Sequence, residues 1–265
     1  MAHQYFNFKR FYNAFKYDLR LSFKTYRSIL LGLIVGLLLI NISLFFITRA
    51  TFGTNEYVQT FYFTLLLSGI LIIGTSFPLL RGTKSKLHYL MLPASVFEKV
   101  LIQFSMRFVI FIPVFFAIFW LDFKLAKAVY NLFEWGRPIK IGSFAFLEPL
   151  QYSPSGSIHM FALAGLLLTI AAFLFAGATY FRRYTVIKTV LAFVVFLGGA
   201  VALFRLFTMI FFTGYYKEIG VFVYLETYRI SDQLLNIQLY FYVIAFVSSL
   251  FLLPLAYFKL KEKQL

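Results

Sequence analysis

The chain has 265 residues, of which 61% are hydrophobic, 22% are aromatic and only 13% are charged, and its mean hydropathy is +0.82. Soluble domains carry about 25% charged residues, so this composition excludes an ordinary soluble domain and indicates a membrane protein. The absence of cysteine excludes disulfides and thiolate metal sites. A formal net charge of +15 would suit nucleic acid, but the basic residues are sorted by loop, which indicates membrane lipids as the partner and no nucleic acid.

The N-terminal segment 5–27 predicts an amphipathic helix that lies in the headgroup plane, with basic residues such as Lys16 and Arg20 beside its apolar stripe. The stripe consists of Phe8, Phe11, Tyr12, Phe15, Leu19, Phe23 and Tyr26. We therefore divide the chain into an interfacial helix at 1–28 and a transmembrane domain at 29–265. The alternative is a basic juxtamembrane anchor with no partner.

Apolar segments of about 20 residues, the length that crosses a bilayer, follow along the chain. They predict an all-α polytopic membrane protein with six spans, at 29–48, 58–78, 100–121, 157–180, 187–213 and 237–258. The outer segments 122–156 and 214–236 are partly apolar, and either dip into the membrane edge or pack on the outer face.

The charges predict the orientation of these spans. The N-terminal segment, the 2–3 loop with the start of span 3, the 4–5 loop and the C-terminal tail together hold 17 of the 25 basic residues and only three of the ten acids. Because Lys and Arg collect on cytosolic loops, we expect both termini to be cytosolic.

The loop 79–99, LLRGTKSKLHYLMLPASVFEK, is the most informative stretch. After Gly82, residues 84–91 predict a short helix, and Pro93 either stops this helix or starts the next one. Ser95 and Glu98 fit the S-x-x-E capping box, so span 3 should begin near Val96. Physics alone leaves open whether this loop is only a well-capped helix start.

Six spans, an amphipathic N-terminal helix and an LPAS-x-x-EK segment after span 2 resemble the type-2 (ABC-2-type) ABC transporter permeases, which are bacterial plasma-membrane exporter subunits. The residues that match the family pattern are Leu92, Pro93, Ala94, Ser95, Glu98 and Lys99. The resemblance implies that 84–95 is the coupling helix for an ATPase and that the N-terminal helix is the elbow helix. It assigns coupling contacts to Leu87, Leu90, Pro93, Ala94, Ser95, Glu98 and Lys99, and predicts a dimer of identical or different permease chains.

Residues with catalytic potential form no recognisable site. The stretch Gly82-Thr83-Lys84-Ser85 does not fit a P-loop, so ATP and Mg²⁺ would bind a separate ATPase chain. The three histidines form no H-E-x-x-H pattern, so we expect no metal and no cofactor on this chain. We also predict that the chain is not an enzyme, and no acid falls near a predicted span centre.

Polar and small residues inside the spans give the remaining site predictions. Arg205 in span 5 either reaches the outer headgroups, or contacts an anionic substrate or an outer-side acid such as Glu218 or Glu226. Asn41 in span 1 either forms an interhelical hydrogen bond or lies on a substrate path. Gly32 and Gly36 form a G-x-x-x-G pair that either packs within the chain or lies at a dimer interface.

Three functions compete at this point. The first is an ABC exporter permease. The second is a non-transport membrane scaffold that recruits a cytosolic partner through the 79–99 loop. The third, a lipid-modifying enzyme, has no catalytic residues to support it.

Overall fold

The computed structural model describes residues 6–48, 51–80, 89, 91–132, 140–151, 157–181, 183–211 and 236–263, and these are mostly helical. The helices are α1 (Phe8–Ile47), α2 (Thr54–Gly74), α3 (Val96–Phe104), α4 (Phe111–Leu132), α5 (Glu148–Gln151), α6 (Ser157–Tyr180), α7 (Thr185–Phe211) and α8 (Asn236–Glu262). A 3₁₀ turn follows α2 at Pro78–Leu80, and a π-helical segment, Ser105–Ile110, joins α3 to α4. Two-residue strands β1 (Thr51–Phe52) and β2 (Lys140–Ile141) pair in parallel, with Thr51 opposite Lys140.

Four helical stretches in the described part of the chain are long and apolar enough to cross a membrane. They are Phe8–Ile47, Thr54–Gly74, Val96–Leu132 and Thr185–Leu203, and Ala164–Tyr180 is a shorter apolar helix. These stretches confirm the predicted class, an all-α membrane protein. Helices α1, α2, α6, α7 and α8 overlap predicted spans 1, 2, 4, 5 and 6, and predicted span 3 extends over α3, the π-helical segment and the first half of α4.

Two boundaries differ from the prediction. The interfacial helix and span 1 form one continuous helix of 40 residues, because no Gly or Pro separates them and Ile and Leu at 29–31 continue the helical hydrogen bonding. Span 3 was predicted to end at 121, before a group of charged residues, but α4 continues to Leu132. It continues because one face remains buried and because Lys127 Nζ donates to the carbonyls of Ile141 and Gly142 at 2.9 and 3.0 Å.

An aromatic core lies between α1, α2 and α4, at the end of the bundle opposite the 79–99 loop. Its buried rings include Phe45, Phe52, Tyr57, Phe61, Phe115, Phe119, Phe123 and Tyr130. Many contacts are edge-on, such as Phe45–Phe52 with ring centroids 5.2 Å apart and Tyr57–Phe123 at 4.8 Å, the geometry that aromatic quadrupoles favour. Part of the aromatic content therefore serves internal packing.

A second core lies at the 79–99 end and joins α2, the π-helical segment, α6 and α8. It includes Ile73, Phe77, Leu80, Tyr89, Phe108, Phe175 and Leu260. α8 and α2 both pack on α6, while α1 packs on α4. α3 contacts both α1 and α8, and the π-helical segment that follows it contacts α2.

Candidate functional site

The predicted start of span 3 is confirmed at Val96, where α3 begins. Ser95 Oγ accepts a hydrogen bond from the Glu98 backbone N–H at 3.1 Å, and Glu98 Oε2 accepts one from the Ser95 N–H at 2.8 Å. These reciprocal bonds satisfy two backbone donors that the first helical turn leaves without partners.

The same carboxylate also binds the start of α1, and we call Asn7, Arg10, Ser95 and Glu98 the Glu98 cluster. Arg10 Nε lies 2.7 Å from Glu98 Oε2, Arg10 Nη2 lies 2.8 Å from Oε1, and the Asn7 N–H donates to Oε1 at 2.8 Å. Such two-pronged contacts between Arg and a carboxylate are both strong and directional. Glu98 therefore connects α3 to α1, and its partner Arg10 is 88 residues away in the sequence.

The structure places two of the predicted coupling residues inside the protein. Glu98 and Lys99 are 0% and 1% exposed, because the Glu98 carboxylate binds the start of α1 and Lys99 lies over the Tyr89 ring, 5.7 Å from its centroid. Both side chains are therefore buried in this structure. Pro93 is exposed, whereas Ala94 and Ser95 are half-buried.

The predicted helix at 84–91, with Leu87 and Leu90, lies outside the described residues except for Tyr89 and Met91, both of which are helical. Tyr89 is buried and its hydroxyl has no hydrogen-bond partner among the described residues. Burial raises the pKa of this hydroxyl well above its ordinary value, and the negative charge of Asp18 adds to the rise.

A buried polar cluster, consisting of Asp18, Tyr26, Gln103 and Arg107, forms a second connection between α1 and α3. Gln103 Nε2 lies 3.2 and 3.1 Å from the two carboxylate oxygens of Asp18, and the Tyr26 hydroxyl donates to Asp18 Oδ2 at 3.1 Å. Gln103 Oε1 accepts the Phe77 N–H at 3.2 Å. Phe77 has a positive φ of 54°, a conformation that costs energy in a residue with a side chain, so Gln103 holds the chain in the turn after α2.

Arg107 connects this cluster to the end of α2. Its Nη1 and Nη2 donate to the carbonyls of Ile72 and Thr75 at 2.9 and 3.3 Å, and its guanidinium lies 5.1 Å from the centre of the Tyr26 ring. A cation at a helix C-terminus satisfies carbonyls that have no partner within the helix and complements the helix dipole. The π-helical segment carries Arg107, and such segments frequently occur at functional sites.

The other predicted site residues lie apart from these two clusters. Asn41 is 1% exposed and its Nδ2 donates to Asp122 Oδ2 at 3.0 Å, so its amide packs between α1 and α4 as an interhelical hydrogen bond. Arg205 is exposed on α7. A Cβ at Gly32 or Gly36 would meet no atom within 4 Å among the described residues, so there is open space beside both glycines.

Asp18 and Arg107 entered the sequence analysis only in the count of charged residues on the cytosolic side. Gln103 was not predicted to be a site residue. The spacing of Ala14, Asp18 and Ser22, four residues apart, was an available signal, because these three are the buried residues in the first part of α1. The predicted aromatic stripe instead includes Phe8 and Phe23, which are exposed. The small and polar face of α1 thus faces the protein.

Comparisons with known proteins give no relative from which a function could be inferred. No family model, no curated protein and no solved structure matches the chain. Among the residues that the structure describes, no group of three or more His, Cys, Asp or Glu side chains could hold a metal ion. A functional interpretation therefore depends on the two clusters and on the LPAS-x-x-EK segment.

Proposed function

We propose that this chain is the transmembrane permease subunit of an ABC exporter in a bacterial plasma membrane. Two permease chains would work with a separate ATPase, which binds ATP and Mg²⁺ and drives alternating access. The proposal includes six membrane spans and cytosolic termini, with the 79–99 loop facing the ATPase.

The observation that carries this proposal is the attachment of α3 at both of its ends. The Glu98 cluster links the start of α3 to the first turn of α1, and the buried polar cluster links its end and the π-helical segment to α1 again and to the end of α2. Protein interiors are close-packed and transmit strain, so a push on the residues before Val96 has to move α1 and the end of α2 as well. A coupling segment needs this property, whereas a helix cap alone does not.

Exposed apolar side chains beside these clusters supply a surface on which an ATPase could dock. Met91 is 79% exposed and Phe97 is 47% exposed, and Pro93 lies between them in sequence. Exposed apolar groups next to a rigid, hydrogen-bonded base are typical of protein–protein contacts. They replace Glu98 and Lys99 as the side chains expected to touch the ATPase.

The test is a mild-detergent purification of the tagged chain followed by identification of its partners and an ATP hydrolysis assay. We expect a P-loop ATPase to copurify with the unaltered chain and to be lost with Met91→Arg. The matched control is Leu132→Arg, which changes a side chain that is 78% exposed at the opposite end of the bundle. Both variants should insert into the membrane with equal yield, because neither side chain is buried.

Two results would overturn the proposal. One is a chain that purifies without an ATPase and supports no ATP hydrolysis, which would favour the membrane scaffold. The other is equal retention of the ATPase by Met91→Arg and by the unaltered chain, which would show that Met91 is not part of a docking surface for the ATPase.

Orientation can be tested with single cysteines because the chain has none of its own. Met91→Cys should react with a membrane-impermeant maleimide only from the cytosolic side, and Ser143→Cys, also at an exposed residue, only from the outside. Reaction of both from the same side would contradict the proposed topology.

The dimer is supported by the open space beside Gly32 and Gly36, since small residues allow close approach of membrane helices. In a dimer of identical chains that meet there, Gly32→Cys should form a disulfide-linked pair on oxidation.

Arg205 is proposed to line the substrate path. If it does, Arg205→Gln should reduce transport while the ATPase still copurifies.

A further inference from the structure

An apolar cavity of about 290 Å³ lies between α2, the helical stretch from Phe108 to Phe116, and α6. An engineered apolar cavity of about half this size, roughly 150 Å³, is large enough to bind benzene. The residues that form its central walls are Leu65, Gly69, Phe111, Ile112, Leu168 and Ala171.

Gly69 shows that the empty space begins at the backbone of α2. Gly69 is buried, yet a Cβ placed on it would meet no atom within 4 Å. Gly177, in contrast, lies so close to α7 that a Cβ there would overlap Thr189. Because protein interiors are normally close-packed, a buried glycine with open space beside it indicates room for another molecule.

The length of the cavity matches one leaflet of a bilayer. Phe61 and Ile73 both line it, and their separation of twelve positions along the α-helix corresponds to about 18 Å. Half of a hydrocarbon core of about 30 Å is roughly 15 Å, so the cavity is long enough for one extended alkyl chain of a single leaflet.

The positions of the polar groups agree with an amphiphile. Arg107 lies at the end near Ile73, and the other polar side chain among the described lining residues, that of Tyr62, donates its hydroxyl to the Pro149 carbonyl at 3.0 Å at the far end. Between these ends the lining is apolar. Ile112 and Leu150 are themselves exposed, so the lining continues onto the surface that faces lipid.

We propose that this cavity binds a single alkyl chain of a membrane amphiphile, with the head at the level of Arg107 and the chain passing Gly69. The chain could belong to a phospholipid of the adjacent leaflet or to a free fatty acid. The site needs no ATPase and does not depend on the function proposed above.

The test uses the full chain in phosphatidylcholine vesicles that contain an increasing fraction of a photoactivatable probe. One series uses a phosphatidylcholine with a diazirine in the acyl chain, and a second uses a diazirine fatty acid. Cross-linked peptides are mapped, and labelling at the cavity is compared with labelling on the exposed face of α7. Cavity labelling should saturate with at least one probe, while labelling of α7 should rise in proportion to the probe.

Gly69→Leu should fill the cavity and remove the saturating labelling, and Ala171→Leu should do the same from the opposite wall. Gly198→Leu is the matched control, because Gly198 is an exposed helical glycine that also has open space beside it. Saturation with the phospholipid alone or with the fatty acid alone supports the site and identifies its source. Proportional labelling of the cavity with both probes, or saturation that persists when either wall is filled, would overturn it.

Discussion

Replacing Gln103 by Leu should lower the free energy of unfolding by about 3 kcal/mol, through the loss of two contacts. The bond from its amide to Asp18 is 3.1 to 3.2 Å long, at the long end for a bond to a carboxylate, so it should contribute near the lower limit of about 1.5 kcal/mol. The change also leaves the buried Phe77 N–H unpaired, which costs about 1–3 kcal/mol. Leu is close to Gln in volume, so no large cavity adds to the loss.

The contribution of the Asp18–Gln103 pair itself can be isolated with a double-mutant cycle. We expect Asp18→Leu and Gln103→Leu to be non-additive by about 1–2 kcal/mol, since each removes the same bond. The measurement is unfolding by denaturant titration in mixed micelles, followed by tryptophan fluorescence. Gln59→Leu, at an exposed position of α2, should stay within about 0.5 kcal/mol of the unaltered chain.

Additive effects of the two substitutions would refute this reasoning, because they would show that Asp18 and Gln103 stabilise the chain independently. A loss for Gln103→Leu no larger than that for Gln59→Leu would show that the buried polar cluster does not hold α1 on α3.

Three further substitutions test the packing by the same unfolding measurement. Arg107→Lys should cost about 1–2 kcal/mol, because a single ammonium cannot reproduce the planar fork that reaches two carbonyls, and a neutral result would exclude that role. Phe115→Ala, in the aromatic core, should cost about 3–5 kcal/mol, whereas Phe251→Ala at a 73% exposed position should cost far less, and equal losses would contradict the assigned core. Gly177→Ala should cost about 1–3 kcal/mol by overpacking and be partly restored by Thr189→Ala, and an unaffected Gly177→Ala would show that α6 and α7 separate easily.

The sequence predicted contacts between residues that are close along the chain, but not contacts between residues that are far apart along it. The capping box joins Ser95 to Glu98 within one helical turn, so a short pattern predicted the helix start correctly. Gln103, the partner of Asp18 on α3, is 85 residues away, and no local pattern connects the two. The apolar runs located the helices, but charged residues at 122–127 suggested a loop where tertiary contacts continue the helix.

Two glycines show the same limit within the spans. Gly32 and Gly69 both lie in apolar helices, and in the sequence they are equivalent small residues. In the structure Gly32 faces outward and Gly69 faces a cavity. The difference depends on which neighbouring helix fills the space, and that is decided by packing between segments distant in the sequence.

The second half of α7 has a consequence for the bilayer around the protein. From Leu197 to Ile210 every residue whose exposure is described is exposed, while the first half packs on α6 through contacts such as Phe173–Phe193. The apolar stretch of α7 that is long enough to cross a membrane, Thr185–Leu203, has 19 residues and is about 29 Å long, close to a hydrocarbon core of about 30 Å. A thinner or thicker bilayer should therefore create a mismatch at this helix, so lipid chain length becomes a variable for the position of α7 in the membrane.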